Sequence, residues 1–133
     1  MSAETIIQLD GVSKSYGTAR PTPVLDDVSV QFVRGEFTSL MGPSGSGKST
    51  LLNLIAGLDL PDRGEVLVAG QRLSSLSDRE LSALRLRRIG FVFQEFNLLP
   101  ELSVEENVAW PLEFARYPTA EVRARSADSL ARV

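Results

Sequence analysis

The chain has neither cysteine nor histidine among its 133 residues. The first absence excludes disulfides and thiolate metal sites and fits a reducing cytosol. The second removes imidazole as general base and as metal ligand. Lysine is nearly missing too, with only Lys14 and Lys48 present. No apolar run approaches the roughly 20 residues that span a bilayer, and Met1-Ser2-Ala3-Glu4 lacks the basic start of a secretory signal. A net charge of −3 argues against broad nucleic-acid affinity, so no nucleic-acid partner is expected. What remains is an ordinary globular composition, 43% hydrophobic with a mean hydropathy of zero. The length suits one domain, burying about two-thirds of its unfolded surface.

Against that plain background one stretch stands out: Gly42-Pro43-Ser44-Gly45-Ser46-Gly47-Lys48-Ser49-Thr50. It fits G-x-x-x-x-G-K-[ST], the phosphate-binding P-loop. Residues 36–41 read as a short buried strand before it and residues 51–56 as a helix after it, the setting the motif requires. Gly42, Gly45 and Gly47 permit backbone conformations closed to residues with a Cβ, so that successive N–H groups converge on polyphosphate oxygens. The helix N-terminus adds uncapped N–H groups and partial positive charge. Lys48 then reaches the β- and γ-phosphates and the Ser49 hydroxyl coordinates Mg²⁺. A flexible Gly/Ser turn containing a lysine is the plainer alternative, disfavoured by the strand and helix on either side.

Along the chain, residues 5–9 read as a strand closed by the turn dipeptide Asp10-Gly11. Residues 24–33 read as a half-buried antiparallel strand, with Val28, Val30 and Phe32 on one face and Ser29 and Gln31 on the other. Gly57 stops the P-loop helix, residues 58–64 form a loop, and residues 65–68 form a strand turned by Ala69-Gly70. Ser77-Asp78-Arg79-Glu80 and Ser103-Val104-Glu105-Glu106 are capping boxes that each open a helix. Arg85, Arg87 and Arg88 at the end of the first read as complementing its dipole, with a phosphate or partner contact as the alternative. Residues 89–93 form a continuous apolar run, as in a buried parallel strand, and Gln94 ends it at the sheet edge where ligands bind. Val104, Val108, Leu112 and Ala115 make one apolar stripe, with Pro111 expected to kink or end that helix. A last amphipathic helix over residues 120–132 has Val122, Leu130 and Val133 as its apolar face. The fold class is α/β.

These features together resemble the first half of the nucleotide-binding subunit of an ABC transporter. The resemblance rests on Tyr16-Gly17, Leu25-Asp26-Asp27-Val28-Ser29, the P-loop, and residues 58–64. Further support comes from Ile89-Gly90-Phe91-Val92-Phe93-Gln94 and from Asn97-Leu98-Leu99-Pro100 ahead of Ser103-Val104-Glu105-Glu106-Asn107-Val108. Within the family the chain looks most like the bacterial branch serving lipoprotein release and macrolide export. The resemblance implies a P-loop NTPase of the ABC ATPase type, incomplete. Residues 1–94 would hold the antiparallel strands and P-loop core, and residues 95–133 the start of the helical subdomain. It further implies that Tyr16 stacks on adenine, that Gln94 contacts Mg²⁺ or the attacking water, and that the ligands are ATP and Mg²⁺. The implied partners are a transmembrane permease and a second ATP-binding subunit. The implied location is the cytoplasmic face of the cell membrane. Leu98, Leu99 and Pro100 would face the permease, with core packing an equal alternative for each leucine; Trp110 reads as core or interface.

The family's Walker B carboxylates, signature motif and switch histidine do not occur in these 133 residues. Hydrolysis needs a group that positions water and charges that neutralise the γ-phosphate, so the expectation is a chain that binds ATP without turning it over. In the family's sheet both neighbours of the P-loop strand come from the missing half, which leaves residues 36–41 without ladder partners and the chain marginally stable. A non-catalytic regulatory module is the competing reading. An unrelated P-loop kinase is disfavoured by Tyr16 and Gln94.

Overall fold

The computed structural model describes residues 4–93 and 95–133. Two compact units emerge, residues 1–82 and residues 83–133, with the division falling inside a helix.

The first unit is built on a four-stranded antiparallel sheet in the order β2-β1-β3-β4, comprising β1 (Thr5–Tyr16), β2 (Thr22–Val33), β3 (Arg63–Val68) and β4 (Gln71–Arg72). Helix α1 (Lys48–Ile55) packs against β2 and β3. Leu9, Val12, Leu54 and Val66 are at most 1% exposed and form the centre of this core. A 3-10 turn, Leu73–Ser75, follows β4 and buries Leu73; neither it nor β4 is anticipated by the sequence reading. On β2 the expected alternation holds, with Val28, Val30 and Phe32 half-buried and Ser29 and Gln31 exposed.

Asp10-Gly11 does not end the first strand. Along β1, Leu9 pairs with Val30 and Val12 with Val28, so three steps on one strand face two on the other. The same excess recurs against β3, where Asp10 pairs with Glu65 and Ser13 with Arg63. This is a β-bulge carried by a glycine in the left-handed region, Gly11 at φ 57°. The extra residue puts Leu9 and Val12, which strict alternation would separate, into one core. It also lets β1 run on to Tyr16.

Residues 36–41 form no strand, contrary to the expectation of a buried one. Phe37 is 95% and Met41 86% exposed, and among the described residues no strand pairs with this segment. A strand without a neighbour has no ladder to hold it. Residues 89–93 fail for the same reason: Val92 is fully exposed, among the described residues no strand pairs with this segment, and the Phe91 and Phe93 rings stack on each other, 5.5 Å apart. The P-loop unit is therefore a coil leading into a helix.

Helix α2 (Asp78–Arg88) starts at the expected capping box: Ser77 N–H donates to Glu80 Oε2 at 2.8 Å, and Glu80 N–H to Ser77 Oγ at 3.4 Å. Its last turn carries Arg85, Arg87 and Arg88.

In the second unit α3 (Val104–Phe114) packs against α4 (Thr119–Ala131). Ser103 and Glu106 close the second capping box. Asn107 pins the preceding loop, accepting from Leu99 N–H at 2.8 Å and donating to the Leu102 carbonyl at 3.0 Å. Pro111 sits inside α3, which ends one turn later at Phe114. The buried stripe is shifted from the expected one. Ala109 is buried while Val104 is 70% exposed, and on α4 Val122 and Ser126 are buried while Val133 is fully exposed. A first-turn or terminal residue has no neighbouring turn to cover it. Leu98, Leu99 and Trp110 are exposed.

Candidate functional site

The P-loop bends so that Lys48 reaches back across it. Its Nζ donates to the Gly42 carbonyl at 2.8 Å, the Pro43 carbonyl at 2.7 Å and Ser46 Oγ at 3.3 Å. The bend closes with Ser46 N–H donating to the Pro43 carbonyl at 3.3 Å. Gly47, at φ 88°, is the N-cap of α1, and no side chain caps that helix. A Cβ there would lie 2.9 Å from Leu25 Cδ2 and 3.0 Å from the Val24 carbonyl oxygen. Glycine at this position is thus set by close approach to β2 as well as by the left-handed backbone. At Gly45, φ 79°, a Cβ would meet only open space, so there the backbone conformation alone asks for glycine.

An open cleft of about 600 Å³ lies over this loop, lined by Tyr16, Val24, Ser44, Gly45, Gly47, Lys48, Ser49 and Thr50. Six of these eight come from the motif and its helix; Tyr16 comes from the end of β1 and Val24 from β2. Gly42, Pro43 and Ser46 do not line the cleft; they hold Lys48. Val24 was not singled out from the sequence, where it is one β-branched residue of a strand.

Tyr16 is 44% exposed and is held from behind. Its hydroxyl donates to Asp59 Oδ2 at 2.8 Å. Asp59 Oδ1 accepts from Lys14 Nζ at 2.7 Å and from Leu60 N–H at 2.8 Å. Lys14 Nζ also donates to the Leu60 carbonyl at 2.7 Å and lies 5.3 Å from the Tyr16 ring centroid. Burial alone would raise the Asp59 pKa, but the Lys14 and Tyr16 hydrogen bonds and the Leu60 N–H outweigh it and hold the carboxyl below its usual range. The bond to Asp59 raises the Tyr16 pKa, and Asp59 likewise raises that of Lys14. In the sequence residues 58–64 read as a loop and nothing local marks this cluster; the rarity of lysine in the chain is the one signal that points to Lys14.

The cleft suits a polyphosphate: open glycine backbone, an uncapped helix start, one ammonium and no acidic lining residue. Among the described residues no group of three His, Cys, Asp or Glu side chains is placed to hold a metal ion. The hydroxyls of Ser44, Ser49 and Thr50 line the cleft, and that of Ser49, exposed and next to Lys48, is a metal-compatible donor. That fits Mg²⁺, which is commonly held by few protein oxygens together with substrate phosphates and water. Gln94 lies outside the described residues.

Residues 25–133 match the family described as ABC transporter. The chain belongs to that family. It is 42% identical over 134 residues to the lipoprotein-releasing system ATP-binding protein LolD of Pseudomonas fluorescens, covering 100% of this chain and 59% of the relative. It is 43% identical over 129 residues to the uncharacterized ABC transporter ATP-binding protein YknY of Bacillus subtilis, covering 96% and 56%. A dimeric ATP-binding cassette bound to ADP and Pi superposes with a TM-score of 0.86 at 43% identity, covering 95% of this chain and 56% of that one. The ABC cassette fold expected from the sequence is borne out, and the chain spans just over half the length of these relatives. Among the described residues no helix is long and apolar enough to cross a membrane.

Proposed function

We propose that this chain is the nucleotide-holding part of an ABC transporter ATP-binding subunit, with ATP and Mg²⁺ as its ligands. The observation that carries the reading is the cleft that joins Tyr16 to Lys48, Ser49 and the glycine loop. In this reading Tyr16 presents a flat aromatic face to the adenine. The loop N–H groups from Ser44 to Thr50 take the phosphates. Lys48 exchanges the Gly42 and Pro43 carbonyls for β- and γ-phosphate oxygens, and Ser49 supplies its hydroxyl to Mg²⁺. Gln94 serves the metal or the attacking water.

Residues 1–94 are the strand and P-loop core of this proposal, and residues 95–133 the start of a helical subdomain. The subunit works on the cytoplasmic side, against a membrane permease and beside a second ATP-binding subunit, coupling nucleotide binding and hydrolysis to transport or extraction. The 133 residues hold no histidine and no second glycine-serine signature, so the chain alone binds ATP without turning it over.

The test is equilibrium binding of ATP with Mg²⁺, together with phosphate release, in wild type and Lys48→Ala. Wild type should bind and the variant should lose about 1.5 to 3 kcal/mol of affinity, the scale of charge-assisted hydrogen bonds. Equal affinity in the two proteins would refute the site. Turnover abolished by the substitution would refute the inactive-alone part.

A further inference from the structure

We propose that Asp59, braced by Lys14, is a positioning residue that fixes the Tyr16 ring at the base-binding end of the cleft. The proposal rests on the nucleotide reading above. Tyr16 is the last residue of β1 and is partly exposed, so nothing in strand geometry alone settles its side chain. Its hydroxyl has a carboxylate acceptor at 2.8 Å, and a charged acceptor makes the stronger kind of hydrogen bond.

The acceptor is itself immobilised. Lys14 and Leu60 N–H hold its other oxygen, and Lys14 is anchored in turn on the Leu60 carbonyl. Two further bonds clamp the same loop to the end of β1: Ser15 N–H donates to Asp62 Oδ2 at 2.7 Å, and Asp62 N–H donates to the Ser13 carbonyl at 2.9 Å. Asp59 does not line the cleft, so it acts only through Tyr16. The Lys14 ammonium sits toward one face of the ring, which leaves the other for a flat ligand. Helix α1 connects the two ends of the site: it begins at Lys48 in the cradle, and Asp59 follows four residues after it ends at Ile55. A ring already ordered loses less freedom when a base arrives, and that saving appears as affinity.

The experiment measures binding of ATP and of inorganic tripolyphosphate to the full chain as wild type, Asp59→Ala, Tyr16→Phe and the double variant. Tyr16→Phe keeps the ring and removes only the hydroxyl, so it answers the question even if Asp59→Ala folds poorly. Each single variant should weaken ATP binding about three- to tenfold, the double should be no worse than either single, and tripolyphosphate affinity should stay unchanged. Unchanged ATP affinity, an equal loss for both ligands, or additive losses in the double would each overturn the positioning role while leaving the nucleotide site intact. A wild type that binds neither ligand would overturn the nucleotide reading, and this inference with it.

Discussion

Gly64 shows how much a single position can decide. Its φ is 79°, and a Cβ built there would lie 2.4 Å from the carbonyl oxygens of both Asp10 and Gly11. Those carbonyls belong to the bulge that carries β1 onward to Tyr16, so the glycine and the bulge require each other. Replacing Gly64 with alanine adds left-handed strain to a backbone clash. It should destabilise the first unit by at least about 2 kcal/mol, measured by denaturant unfolding followed by circular dichroism. A midpoint within error of wild type would show that the bulge yields easily. Gly35 and Gly70 carry positive φ but have only open space where a Cβ would point. The three glycines look alike in the sequence, because what distinguishes Gly64 is a strand about fifty residues away.

At the scale of elements, the helices that start at capping boxes were readable because a cap is a local device. Ser77 with Glu80 and Ser103 with Glu106 are each three residues apart and need no partner elsewhere. The inward face of α4 was less readable. Ser126 is 1% exposed and its hydroxyl has no hydrogen-bond partner among the described residues, yet it lies midway between Val122 and Leu130 at helical spacing. A polar letter on an apolar stripe is naturally read as outside, and only the packing of α3 on α4 puts it inside. Ser126→Ala should therefore stabilise the second unit by about 1 kcal/mol, since it removes an unsatisfied buried hydroxyl and adds helix propensity. Urea unfolding followed by Trp110 fluorescence, the chain's single tryptophan, is the appropriate measurement. A lower midpoint in the variant would mean that the hydroxyl has a partner.

For the whole molecule, two consequences follow from how charge and apolar surface are distributed. Asp59, Glu80 and Glu106 have folded-state pKa values below their ordinary ones; hydrogen bonds from Ser77 and Ser103 are the cause for the two glutamates. Their contribution is complete above the ordinary carboxylate range and is lost as pH falls through the folded values, so stability should drop below about pH 4. The groups facing Asp59 are Lys14, Tyr16 and, beyond them, Asp62. Lys14 and Tyr16 are shifted upward, so their contribution is present below their ordinary values and fades as pH rises above about 10. Unfolding midpoints that stay flat from pH 5 to 3 would rule the acid arm out. The second consequence concerns Phe37, Met41, Val92 and Phe96, all of them at least 86% exposed. Apolar segments with unpaired backbone promote association. Sedimentation velocity should show concentration-dependent self-association in the micromolar range, reduced by Phe37→Glu and Val92→Glu. A cooperatively unfolding monomer at all concentrations would count against this.

By itself the sequence determined the P-loop, both capping boxes and the β2 alternation, because each is written in residues close together in the chain, and the family, because it is carried by several such short motifs in order. It could not settle whether residues 36–41 and 89–93 become strands. Strand identity depends on a neighbour to bond with, and among the described residues neither segment has one. Only the tertiary structure decided that Asp10-Gly11 is a bulge rather than a turn, and that Tyr16 is thereby carried to the cleft. The same is true of the Asp59–Lys14 pair standing behind its ring. The physical reason is common to all of these: register, close approach and hydrogen bonding between β1 and a loop some forty residues later are properties of a folded chain, and no short stretch of sequence contains them.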